Sequence, residues 1–295
     1  MADYQNFTQV NLAPIINEVW VPEVQREWQA DLLFANWLKD LSGRFAGGGD
    51  IANISGIYTN QLSANDKGSG DEVTLQSATG DSVTLTIDTW KEISFIFEDL
   101  EAQLVLQDAE TAMEYADQAR YILRKTFETA IATALNSGIT AEVGSSSDNL
   151  TDGLVREAIE KLDASDVDMD QVAFFFHPTT YWHDLQGVSK YYQYDQSSKV
   201  WKGNYGAMNP SLLLYDLPVF KTSVVPKSTE INNFLIHKSA LAHAIRTPGG
   251  GVRSQASYEI LKLGTVWVSD LIYGMTALRT DAGVVLTSNT GAIVS

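Results

Sequence analysis

The 295-residue chain contains no cysteine. That absence excludes a disulfide framework, a thiolate metal site and a cysteine nucleophile. No run approaches the roughly 20 consecutive apolar residues that a membrane helix needs. The first residues, Met1-Ala2-Asp3-Tyr4-Gln5-Asn6, lack the basic-then-apolar order of a signal peptide. No membrane partner is expected. Histidine is scarce, with four residues at 177, 183, 237 and 243 and no H-E-x-x-H or comparable ligand spacing. All four read as structural or surface residues.

Other signatures of chemistry are missing too. The sequence holds no G-x-S-x-G, P-loop, dinucleotide-binding fingerprint or kinase set. Gly47-Gly48-Gly49 is not followed by Lys-Ser/Thr and reads as a hinge, and Thr247-Pro248-Gly249-Gly250-Gly251 lacks a strand–helix context for phosphate. Asp163, Asp166, Asp168 and Asp170 resemble half of a calcium loop. Gln171 replaces the required glycine and no glutamate closes the loop, so a solvated turn is the better reading. No catalytic, cofactor or metal site is expected, and the chain reads as a non-enzyme.

Positive charge is sparse: 20 Lys and Arg face 37 Asp and Glu, for a net charge of −17. This argues against a surface that grips DNA or anionic lipid. The imbalance is confined to residues 1–170, with 10 basic against 30 acidic residues, whereas 171–295 carry 10 against 7. Simple solubility accounts for that in a free domain. Acidic faces meeting near-neutral ones between copies would account for it in an assembly.

What is present is mostly pattern. Val24, Trp28, Leu32 and Ala35 follow Pro22 at helical spacing, with Leu33, Phe34 and Trp37 widening the apolar face. A stretch this apolar near a terminus docks on its own domain or on a neighbour, which marks Trp20 and Trp28 as candidate assembly residues. Residues 43–49 then break the helix. From Asp50 the period becomes two through Ile57 and Tyr58. A return strand places Val83, Leu85 and Ile87 on one side, with Ser82, Thr84, Thr86 and Asp88 on the other. The polar stretch 60–80 between them is too long for a compact turn, and two strands with a loose tip are not independently stable. A partner surface is implied.

Residues 90–97 continue the strand and 99–106 suggest a short helix. Asp108 reads as the N-cap of a long helix over 108–136, with apolar positions Ala109, Ala112, Met113, Ala116, Ala119, Leu123, Phe127, Ala130, Ile131 and Ala134. Glu110 and Glu114 near its start, and Arg120, Arg124 and Lys125 later, suit the helix dipole. Residues 145–148 form a connection and Thr151 starts a second helix through Val155, Ala158, Ile159 and Leu162. Val172-Ala173-Phe174-Phe175-Phe176 reads as a buried strand. Residues 178–182 form a short helix, 187–210 an irregular surface region, and short strands are expected at 218–222, 233–237, 258–268 and 272–278. The fold class is α+β.

The order of apolar arm, glycine hinge, two-strand extension, long helix and compact α+β unit resembles the fold named for the phage Hong Kong ninety-seven. That fold is shared by major capsid proteins of tailed bacteriophages and by encapsulin compartments. The likeness is carried by residues 49–57, by 85–91 running into 95–99, by Tyr115-Ala116-Asp117-Gln118-Ala119-Arg120-Tyr121, and by Phe176-His177-Pro178 with Tyr181 and residues 217–223. It implies an N-terminal arm (1–45), an extended loop built as a two-strand hairpin (46–98), a peripheral domain holding the spine helix (99–185), an axial domain (186–265) and returning strands (266–295). It further implies self-assembly into pentamers and hexamers of an icosahedral shell around double-stranded DNA. The virion would be assembled in the host cytoplasm with a separate scaffolding protein, a portal and, where one exists, a decoration protein. Some family members join a loop lysine to an asparagine of a neighbour, and Lys67 stands at that part of the loop. A lone lysine in a polar loop is ordinarily just solvated, so Asp66, Lys67 and Gly68 are read as assembly residues. The alternative within the same fold is an encapsulin-type compartment.

Overall fold

The computed structural model describes residues 33–55, 63–76, 82–99, 109–185, 201–203, 212–247 and 251–290, with side chains except at 109–113, 201–203 and 212. Among the described residues the first element is a one-turn helix α1 (Phe34–Trp37), followed by β1 (Lys39–Asp40), β2 (Ile51–Ser55), β3 (Ser82–Thr86) and β4 (Thr89–Glu98). The long helix α2 (Ala109–Gly138) is followed by β5 (Ala141–Gly144), α3 (Asp152–Asp163) and β6 (Val172–Phe176). Helical turns over Pro178–Thr180 and Tyr181–Leu185 precede β7 (Trp201–Gly203), β8 (Leu212–Leu214), β9 (Leu217–Lys221) and β10 (Glu230–His237). Last come β11 (Leu241–Ile245), β12 (Arg253–Glu259), β13 (Gly264–Ala277) and β14 (Gly283–Asn289). The α+β class expected from the sequence holds.

Helix α2 forms where the apolar spacing requires it. Ala116, Ala119, Leu123, Phe127, Ile131 and Leu135 recur every three or four residues, and all are buried. Its 30 residues make a rod of roughly 45 Å. The expected N-cap, Asp108, lies outside the described residues.

Two sheets flank this rod. In the first, β13 is the central strand. Strand β4 pairs antiparallel along one edge, from Gly264↔Glu98 to Tyr273↔Thr89. Strands β12 and β11 pair in succession along the other edge, and β1 lies parallel to β11. The second sheet has the order β5-β14-β10-β6-β9-β8-β7. One face of it, with Ala173, Phe175, Phe234 and Val285, packs into the core shared by α1 and α2. The other face, with Val172, Phe174, Phe176, Leu235 and Leu286, packs on Val155, Ala158 and Leu162 of α3. Strand β6 is therefore covered on both sides, which is why five consecutive apolar residues are stable there. Helix α3 starts at the expected cap, with Thr151 Oγ1 accepting from Leu154 N at 3.4 Å.

Several sequence expectations need correction. Residues 258–268 do not form one strand. The ladder breaks at 260–263, where Leu263 has φ +46° and Ile260 and Leu261 are exposed, and a hairpin turn joins β12 to β13. Conversely, 272–278 is not a separate strand, because β13 runs without interruption through Ser269 and Asp270. Those polar residues are buried with partners of their own: Ser254 Oγ lies 2.8 Å from Ser269 Oγ, and Arg253 reaches Asp270 at 2.8 Å. The division drawn at 265/266 thus falls inside a strand. That at 185/186 separates β6 from β9 and β10, with which it pairs. Strand β4, placed with the extension, belongs to the first sheet, so the two-strand hairpin itself is β2 with β3. The helical pattern beginning at Val24 reaches the described residues only as α1, and Leu38 is already extended (ψ 169°). The helix expected over 99–106 and the irregular region 187–210 lie mostly outside the described residues.

Candidate assembly surfaces

The extension starts from a firm base. Gly48 and Gly49 take φ values of +97° and +94°, open to glycine at little cost, so the chain turns there into β2. Strands β2 and β3 pair from Ile51↔Thr86 to Ser55↔Ser82. Their inward residues Ala52, Ile54, Val83 and Leu85 join Ile87 in a cluster with Phe45, Ala242, Ala244 and Leu278 of the body. Gly274 of β13 lets the link between β3 and β4 come close: a Cβ there would stand 2.0 Å from Thr86 O and 2.8 Å from Ile87 Cα. Part of the partner surface that the sequence demanded is thus the chain's own body.

Farther out, residues 63–76 adopt no regular structure and all are exposed. Ser63 N donates to Gln76 Oε1 at 2.8 Å, drawing the two limbs together, and Asp71 N donates to Gly68 O at 3.3 Å. Asp66, Lys67 and Gly68 sit at this exposed tip. Val73 and Leu75 are 68% and 93% exposed. Trp20 and Trp28 lie outside the described residues.

The described part of the arm is clamped rather than loose. Phe34 is fully buried, stacked 4.6 Å from the Phe175 ring and edge-on to Phe234 at 6.0 Å. Glu128, buried on α2, accepts from the backbone N–H groups of Phe34 (2.8 Å) and Ala35 (2.9 Å) and so caps α1. His243 Nε2 lies 3.0 Å from Ala35 O on the opposite side of the same turn, as donor if it carries the proton. Burial pushes the Glu128 carboxyl above its usual range, against the lowering effect of these backbone donors and Arg124. Burial pushes His243 below its usual range, so it is held neutral. Neither residue stands out in the sequence, where Glu128 reads as one more helix-surface acid. The only hint is its place on the apolar stripe, one residue past Phe127.

The other histidines also have local partners. His177 Nδ1 accepts from Thr179 N (3.1 Å), His237 Nδ1 accepts from Ser239 N (3.1 Å), and His183 Nδ1 is 2.6 Å from Asp184 Oδ1. Asp168 of the acidic cluster caps its own turn by accepting from Asp170 N and Gln171 Nε2. Among the described residues no three or more histidine or acidic side chains gather in a way that would hold a metal ion.

The first sheet is cross-tied at Asp270. Its carboxylate takes a two-armed bond from Arg253 and a third, at 3.1 Å, from Trp90 Nε1. The hydrogen bond from Arg253 is the main reason its pKa lies below the ordinary carboxylate value. Beside this sheet, α2 and the start of β4 border an open, shallow depression lined by Lys91, Lys125, Thr126, Thr129, Thr133 and their neighbours.

No family model matches the sequence, and neither does any curated protein. Solved structures do resemble the fold. A structure from Mycobacterium phage Che8 aligns over 96% of this chain and 98% of its own, with TM-score 0.71 and 18% identity. The capsid structure of cyanophage P-SCSP1u aligns over 98% and 97%, at TM-score 0.73 and 15% identity. The mature capsid of bacteriophage PhiM1 aligns over 94% and 93%, at TM-score 0.71 and 12% identity. Over its described residues, this chain has the fold that the phage capsid structures share.

Proposed function

We propose that the chain is the shell-forming subunit of a phage capsid. Copies associate into pentamers and hexamers that close an icosahedral shell around double-stranded DNA, in a virion assembled in the host cytoplasm. The observation that carries this reading is the two-way coverage above 90% with solved phage structures. The exposed Val73 and Leu75, on an extension whose base packs on the body, support it further. Head-to-tail contacts of this kind close into rings of five or six. The net charge of −17 suits a wall that does not bind the packaged duplex. A scaffolding protein, a portal and any decoration protein would be separate chains. Asp66, Lys67 and Gly68 act in contacts between copies.

Electron microscopy of the purified protein tests the reading. Rings and closed shells are expected under assembly conditions, alone or with a co-expressed scaffolding protein. Monomers or dimers under all such conditions would refute it. Removing residues 60–80 should leave a folded subunit that assembles poorly, and normal shells from that deletion would remove the extension from the account.

A further inference from the structure

We propose that His243 is a proton-operated switch on the arm: neutral, its ring holds the turn of α1 against the body, and charged, it lets that turn go. The switch belongs to the single subunit and does not depend on the shell reading. His243 is 3% exposed on β11. Its strand neighbours Ala242 and Ala244 face the base of the extension, and alternation turns the ring itself to the arm and α2. Ala35 O, 3.0 Å from Nε2, can only accept, so Nε2 carries the hydrogen and the neutral ring keeps Nδ1 bare. Nδ1 is buried and has no hydrogen-bond partner among the described residues. The Phe127 ring stands edge-on to the imidazole, 5.5 Å away at 83°.

A proton taken up by the neutral ring can go only to Nδ1. The N–H it creates there is buried, and Asp40 Oδ1 lies 3.9 Å off, beyond a hydrogen bond. That oxygen is already held by Ser42 N at 2.8 Å and by the Ser42 hydroxyl. Ser42 Oγ in turn accepts from Ile245 N at 2.9 Å, so drawing Asp40 inward would pull the turn after β1 from its seat on β11. The Asp40 side chain is also 60% exposed, and water screens its attraction for the ring. A charge left in this site must be hydrated. Ala35 lies in a helix of only four residues, which can yield and admit water without disturbing β11 or α2.

The ionisable groups around the ring act in different senses. On β1, Asp40 favours the charged ring, but burial outweighs it and holds His243 below its ordinary value of 6.5. On α2, Glu128 and Arg124 stand beside the same turn. On β13, the residue paired with His243 is the uncharged Met275. Tyr273 packs on Phe127 at 4.9 Å, and burial raises its phenol, which stays neutral in acid. Helix α1 itself has no ionisable side chain. A depressed histidine favours the closed turn above 6.5, and that advantage is lost as the pH falls below it. Glu128 works the other way. Burial raises its carboxyl, so proton uptake there favours the closed turn as the pH falls. Release therefore comes from His243, and Glu128 limits its extent.

Hydrogen exchange of the full chain at about pH 7.5 and about pH 5.5, corrected for the intrinsic pH dependence of exchange, reads the switch. The amides of Phe34, Ala35, Leu38 and Leu41 all have acceptors in the closed form, and the buried strand Val172–Phe176 is the internal reference. One proton taken up a unit below the ordinary value enlarges the open fraction by at most about tenfold. Protection over residues 34–41 is expected to fall by up to that factor while the reference holds. His243→Gln keeps an N–H donor for Ala35 O but takes no proton, so its protection should be equal at the two pH values. Glu128→Gln, with no proton to take up, should enlarge the fall. Unchanged or greater protection in acid would overturn the switch, since Asp40 would then have closed on the charged ring. A fall that persists in His243→Gln, or that the reference strand shares, would overturn it as well. A further check does not need that variant to fold. The ring's own titration, followed by NMR and assigned by elimination with variants at the other three histidines, should have its midpoint below 6.5 and coincide with the loss of protection. A midpoint at or above the ordinary value refutes the proposal.

Discussion

Replacing Gly274 with alanine places a methyl group where the chain entering β4 already lies. The added Cβ would stand 2.0 Å from Thr86 O, 2.7 Å from Thr86 C and 2.8 Å from Ile87 Cα. Ordinary contact begins near 3.4 Å, so the hairpin base must retreat by more than an ångström. The obstacle is backbone, not a side chain that could rotate away. Leu85 and Ile87, on either side of it, are buried against Phe45, Ala244 and Leu278. Overpacking of this kind costs about 1–3 kcal/mol, while glycine to alanine in a strand recovers about 0.5–1 kcal/mol. A net loss of about 1.5 kcal/mol is expected, which lowers the melting temperature by about 3–6 °C in a chain of this size. Gly47→Ala is the control, since its Cβ would meet nothing within 4 Å and its φ is not in the left-handed range. Thermal and urea unfolding of the two variants, with particle yield by microscopy, make the assay. The shift in the hairpin base should re-aim the extension, so Gly274→Ala should assemble less well than its stability alone would require. Unfolding and assembly indistinguishable from Gly47→Ala would refute this account of the base.

Other changes probe the clamp and the cross-tie. Glu128→Ala leaves the Phe34 and Ala35 N–H groups without their buried acceptor and should cost about 3 kcal/mol. Limited proteolysis should then cut near residues 33–41, whereas Glu128→Gln, which keeps one oxygen, should resist better. His243 is depressed in the fold, so the unfolded chain takes the proton first. Its contribution to stability is present above the ordinary value of 6.5 and declines as the pH falls through it. Urea titrations from about pH 7.5 to 5 should show a shallower decline for His243→Gln, with a residue of slope left by His177 and His237, which burial also lowers. Asp270 is lowered by Arg253, so its contribution is full above its ordinary value of 3.8 and is lost only as the pH falls below it. Asp270→Asn should therefore reduce the urea midpoint near neutral pH and remove that part of the acid sensitivity.

Local pattern alone determined a good deal of this protein. The stripe from Ala116 to Ile131, the Thr151 cap with Val155, Ala158 and Leu162, the run Val172–Phe176 and the alternation of Val83 and Leu85 are all written within a few turns or residues of chain. Each of these became the element expected, because the periods of 3.6 and 2 decide which side chains share a face. The order of the elements likewise pointed to the fold that the phage capsid structures share. What the tertiary structure decided depends on partners far away in sequence. The continuity of β13 through Ser269 and Asp270 was hidden because two polar residues break an apolar pattern. They are buried only because Ser254 and Arg253 stand opposite. Strand β4 reads as part of the extension until β13 supplies its ladder. Glu128 looks like a solvated helix acid until two backbone donors 93 and 94 residues away meet it. Burial and hydrogen-bond satisfaction are properties of the assembled chain, so the clamp and the seat of the hairpin at Gly274 became visible only in three dimensions.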